Sequence, residues 1–128
     1  MTRRRPQTGR PAVVIEASRE PAAAFAITRR IAAALAGEPP PLIAITLKLS
    51  GELVDNALTF PSPRESLEIA VRTTTSAIRV ELRDRHFTGA ALADNARAQW
   101  FMDRLADRWG TTTPPDTVWF EVDRDRAP

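Results

Sequence analysis

Cysteine is absent from the 128 residues, which excludes disulfides and thiolate metal sites. No apolar run reaches 18 residues, so the sequence offers no membrane-spanning helix. Arg3, Arg4 and Arg5 have no apolar stretch behind them, so no secretory signal is expected and cytoplasmic residence is the default. His86 is the only histidine and has no companions with which to hold a metal ion. Lys48 is the only lysine among 18 basic residues, a bias of composition. Basic residues interleaved with aromatics are also lacking, so direct nucleic-acid binding is not expected.

What remains is ordinary globular material: 43% hydrophobic and 27% charged residues, in a length suited to one domain. The formal charge of +2 conceals an asymmetry. Four of the 18 basic residues lie in the first ten positions, which hold no acid; this leaves 14 basic against 16 acidic, a body of net charge −2. Residues 1–11 therefore read as a flexible basic tail, 12–123 as the folded domain and 124–128 as a second tail.

Residues 12–17 read as a short strand. Glu20-Pro21 offers a helix start, and Phe25, Ile27, Ile31 and Leu35 form a stripe that Gly37 ends. A second helix is expected from about 41 to 60, closed by Pro61 and Pro63. Residues 67–72 and 77–83 form a hairpin. Ile78, Val80 and Leu82 alternate there with Arg79, Glu81 and Arg83, which predicts one dry and one wet face. A third helix follows, with Ala98, Phe101, Met102, Leu105, Ala106 and Trp109 on one stripe and Gly110 as its cap. Residues 117–122 make a last strand. The order predicts an α+β two-layer sandwich: a mixed, mostly antiparallel sheet, covered on one face by about three helices and solvated on the other.

The second helix carries the most informative pair. Glu52 and Asn56 are one turn apart and stack on one face. At roughly 100° per residue, Asn56 falls between Ile45 and Leu49, and Glu52 beside Ile45. A polar group buried without a partner costs about 1–3 kcal/mol. Two of them on an apolar arc predict a polar object opposite; a nucleotide phosphate with its magnesium ion would fit.

Glu52-Leu53-Val54-Asp55-Asn56-Ala57 resembles the N box of the GHKL ATPases, which include histidine kinase catalytic domains and the small anti-sigma factor kinases. Arg79-Val80-Glu81-Leu82-Arg83-Asp84 resembles the strand that delivers their adenine-binding aspartate. Leu105-Ala106-Asp107-Arg108-Trp109-Gly110, followed by Thr117-Val118-Trp119-Phe120-Glu121, resembles the C-terminal end of single-domain anti-sigma-type ATP-binding proteins. The resemblance implies the histidine-kinase-like ATPase fold over roughly residues 12–123, with ATP and magnesium as cofactors. It implies that Asn56 coordinates the magnesium and that Glu52, the catalytic position, activates an attacking hydroxyl in kinase members. It gives Asp84 the adenine amino group and Thr117 the support of that aspartate. Arg97, like Arg85, flanks the implied phosphate region. The implied activity is that of a serine/threonine kinase of the anti-sigma type. A sigma factor or an anti-sigma antagonist is the implied partner, and such proteins often form homodimers.

The glycines of that pattern are missing. His86 stands two residues after Asp84 where glycine is usual, and Ala96 and Ala98 stand where the second glycine box is expected. Each alanine is expected to put a Cβ into the ligand's space and to draw the third helix toward an earlier start. Trp100, off the core stripe, is expected either to fill the vacated pocket or to form a contact surface. Two functions follow: an ATP/Mg-binding regulator of a protein partner, or a degenerate, nucleotide-free module that kept only the partner surface.

Overall fold

The computed structural model describes residues 11–18, 22–59, 66–83, 95–112 and 117–125. Eight elements follow in order: β1 (Pro11–Ser18), α1 (Ala23–Ala34), α2 (Pro40–Thr59), β2 (Ser66–Thr73), β3 (Ala77–Arg83), α3 (Ala96–Leu105), β4 (Arg108–Thr112) and β5 (Thr117–Asp123). The strands form one sheet in the order β1-β2-β3-β5-β4. All four pairings are antiparallel, so the expectation of a mixed sheet is corrected. Among the described residues the result is an α+β two-layer sandwich of a five-stranded antiparallel sheet and three helices. Among the described residues, no helix is long and apolar enough to cross a membrane.

The helices form where alanine and leucine are dense and proline is confined to the ends. Ile27, Ile31 and Leu35 are buried, as their spacing requires. Phe25, expected on the same stripe, is 70% exposed and stacks under Arg29 instead. It lies two residues before Ile27, about 200° away around the helix, whereas Ala23 and Ile27 at i, i+4 share the inner face. Past α1, Gly37 takes φ 95°, a left-handed conformation that reverses the chain toward Pro40. Pro40 then opens α2 at a position where no backbone donor is needed.

Between β2 and β3, the Thr74 hydroxyl accepts from the backbone N–H groups of Ser76 and Ala77, at 3.3 and 3.0 Å. This local bond fixes the hairpin register. On the other side of β3, in its register with β5, Val80 faces Phe120, Ile78 faces Val122 and Leu82 faces Val118. Paired residues share a face, so these six point together toward the helices, where Leu49, Leu53, Ala98 and Met102 are also buried.

The opposite face is not simply wet. Arg79 and Glu81 are only 8% and 9% exposed. Arg79 donates from Nε to Glu81 at 2.8 Å and from Nη1 to Glu121 at 3.1 Å, and its guanidinium lies 4.2 Å from the Trp119 ring centroid. Arg108 closes the other side of Glu121 at 2.7 Å and pairs with Asp123. Alternation correctly assigned these residues to the outer face. It did not show that long arginine stems and an indole would cover it.

The third helix ends earlier than expected. Its last residue is Leu105, and Trp109 and Gly110 belong to edge strand β4. Ala106 turns extended at ψ 145°, and the Asp107 N–H donates to the Glu121 carbonyl at 2.9 Å. The Asp107 carboxylate accepts from the Asp123 N–H at 2.7 Å, so pairing with β5 takes over from the helix. Gly110 sits opposite Trp119, where a Cβ would come within 3.1 Å of the ring. The glycine is there for the indole and does not cap a helix.

Candidate functional site

The candidate site is built on the inner edge of α2. Asn56 is buried and the Glu52 side chain is 12% exposed. Both meet the first turn of α3. Asn95 is the N-cap of α3, and its Oδ1 accepts from the Ala98 N–H at 3.0 Å, the bond that favours asparagine at a helix start. With its oxygen committed to the helix, its Nδ2 points outward and donates to Asn56 Oδ1 at 2.7 Å. The cap therefore orients both carboxamides at once.

Two residues further, Arg97 lays its guanidinium on Glu52, with Nε to Oε1 and Nη2 to Oε2 both at 3.2 Å. This fork is the geometry in which arginine matches a carboxylate best. Lys48, four residues before Glu52, adds a second cation at 3.3 Å. Burial pushes the Glu52 carboxyl up, but the hydrogen bonds from Arg97 and Lys48 and their charges outweigh it and hold its pKa below the ordinary glutamate value. Phe101 lies under both cations, 4.4 Å from Lys48 Nζ and 5.4 Å from the Arg97 guanidinium.

Thr117 is buried at the start of β5, in register with Arg83, the last residue of β3. It thus stands at the sheet end where the sequence continues into Asp84. Asp84 lies outside the described residues, as do Arg85 and His86. The structure brings Glu52, Asn56 and Arg97 together. Asn95 and Lys48 are site residues that the sequence reading missed. Lys48 was legible as an i, i+4 partner of Glu52, and Asn95 as a capping residue ahead of a helical run.

The two alanines part company. Ala98 is fully buried in the core, so its methyl packs against apolar neighbours and does not project into ligand space; for this residue the expectation is corrected. Ala96 is exposed at the first helical position. Trp100 fills no cavity: it is 53% exposed, edge-on to Phe101 with centroids 4.9 Å apart, and Arg104 lies 4.8 Å from its ring centroid.

Elsewhere, an open groove of about 440 Å³ is lined by Thr75, Ser76, Arg108, Asp123, Arg124 and Asp125, at the far end of β5 from Thr117. Its arginines are taken: Arg108 by Glu121 and Asp123, Arg124 by Glu38 and the Thr74 carbonyl. Among the described residues, no cluster of three or more acidic or histidine side chains could hold a metal ion.

No protein-family model matches the chain, and no curated protein matches it.

Proposed function

We propose that this chain is a regulatory domain of the histidine-kinase-like ATPase type that binds an adenine nucleotide with magnesium and controls a protein partner in the manner of anti-sigma proteins. One observation carries the reading: an amide and a carboxylate, both largely withdrawn from water, stand one turn apart on α2 and face the start of α3. The donors suit magnesium in kind, since an amide oxygen and a carboxylate are the hard ligands it prefers. Asn56 would hold the metal with Glu52 beside it. Asp84 would take the adenine amino group and Thr117 would support that aspartate. The ion would supply neutralisation of phosphate charge, on which phosphoryl transfer largely depends.

Cytoplasmic residence, a sigma factor or its antagonist as partner, and a homodimeric state belong to the same reading. Serine kinase activity would require Glu52 to leave Arg97 and Lys48, because a carboxylate held by two cations is a poor base.

A specific observation favours a second reading. The oxygens of Glu52 and Asn56 are already engaged by side chains of the same protein. A nucleotide-free module that retains only a partner surface has no need of more.

Calorimetric titration with ATP and GTP, each with and without Mg²⁺, separates the two. The first reading expects heat with ATP alone, strengthened by magnesium, and its loss in Asp84→Asn. A response to GTP equal to that for ATP removes it. Silence at millimolar ATP makes the nucleotide-free module the working form of the unmodified chain.

A further inference from the structure

We infer that the first turn of α3 is a built-in competitor for the Glu52–Asn56 pair: Asn95 and Arg97 occupy the oxygens that a magnesium-bearing nucleotide needs, so such a ligand binds only when this turn lets go. The inference rests on the nucleotide reading above.

The two contacts differ in how they hold. Arg97 supplies positive charge to Glu52, but its side chain is 70% exposed. It can swing into water without disturbing its helix, at the cost of its fork on Glu52 alone. Asn95 is anchored by its own helix, because the oxygen that caps Ala98 fixes the direction of the nitrogen that reaches Asn56. Releasing Asn56 therefore means moving or rotating the cap itself. The competition is intramolecular, and the fraction of open molecules multiplies the intrinsic affinity for the ligand.

Opening has a reporter. Phe101 lies under Arg97 and edge-on to Trp100, and Trp100 is exposed. Loss of Arg97 from Glu52 changes the charge beside that aromatic pair. A Trp100→Phe variant isolates its signal from Trp109 and Trp119.

The test uses the full chain as wild type, Asn95→Ser and Arg97→Gln. Serine keeps a strong N-cap acceptor but lacks the amide that reaches Asn56. Arg97→Gln removes the guanidinium at an exposed position where folding is not at issue. Mg-ATP binding is read by calorimetry and by Trp100 emission. Both variants are expected to bind Mg-ATP more tightly, by roughly threefold to tenfold, the range that one lost hydrogen bond corresponds to. Wild-type emission is expected to change on binding, and that change to vanish in Trp100→Phe. A silent wild type with binding in the variants supports the inference in its strongest form, a turn that stays shut. Wild-type binding with unchanged or weaker affinity in both variants overturns the competition and leaves the nucleotide reading standing. Weaker binding in Arg97→Gln with no change in Asn95→Ser overturns it too, and assigns Arg97 to phosphate. Silence in all three proteins removes the nucleotide reading and this inference with it.

Discussion

Ser50 sits inside α2, 2% exposed, and its Oγ has no hydrogen-bond partner among the described residues. One turn earlier in the same helix, Thr46 is equally buried, but its hydroxyl donates to the Leu42 carbonyl at 2.8 Å. The two residues differ in whether a polar atom finds a partner, and that difference decides what each contributes. Removing a buried, unsatisfied hydroxyl recovers its desolvation cost, and alanine is the better helix former. Ser50→Ala is expected to stabilise the chain by about 0.5–1 kcal/mol, read as a higher urea midpoint at constant slope. A lower midpoint would mean that the hydroxyl is satisfied in solution.

Elements are held by a few satisfied polar groups at their ends. Asn95 serves α3 twice, as cap and as the link to α2. Asn95→Ala loses the cap, worth about 1 kcal/mol, and the hydrogen bond to Asn56, worth about 0.5–1.5 kcal/mol more. Asn95→Ser loses only the second. Chemical denaturation is expected to rank stability as wild type, then Asn95→Ser, then Asn95→Ala. Equal loss in both variants would show that the cap contributes nothing. The same scale explains what the sequence hid. Trp109 falls eleven residues after Ala98, in phase with a helix, and only its pairing with Phe120 in the sheet makes it a strand residue. Periodicity reports where apolar side chains recur; it does not report that Asp107 has better partners on β5 than in a further helical turn.

Across the whole molecule, charge binds distant parts of the chain. Arg124 joins the end of β5 to Glu38 between α1 and α2, Arg97 joins α3 to α2, and Arg79 and Arg108 tie β3, β4 and β5 through Glu121. These bonds hold the carboxyls of Glu38, Glu52 and Glu121 below the ordinary glutamate value, in each case against burial, which pushes the other way. A carboxyl whose pKa is lower folded than unfolded contributes stability above its unfolded pKa and loses it as the pH falls through the folded one. The contribution of these three groups is therefore expected to be constant from neutral pH down to about pH 5, then to fall as they protonate below the unfolded glutamate pKa of about 4.3. Thermal melts across pH 3–7 check this. A midpoint that stays level to pH 3 would mean the ion pairs do not distinguish folded from unfolded chain.

The amino-acid order by itself determined the α+β class, the hairpin and the placing of Glu52 and Asn56 on the inner edge of a helix, because each depends on a local period of 2.0 or 3.6 residues. It also placed Arg79 and Glu81 on the far side of the sheet from the helices. Only the tertiary structure decided that this side is covered by Trp119 and cross-strand arginines, that the chain after Leu105 joins the sheet as an edge strand, and that Asn95 and Arg97 close on the α2 pair. Those outcomes are set by contacts between residues 39 to 45 positions apart, or by competition between a helix and a sheet for the same backbone groups. Such choices turn on which partner is nearest once the chain has folded, and no local pattern encodes that.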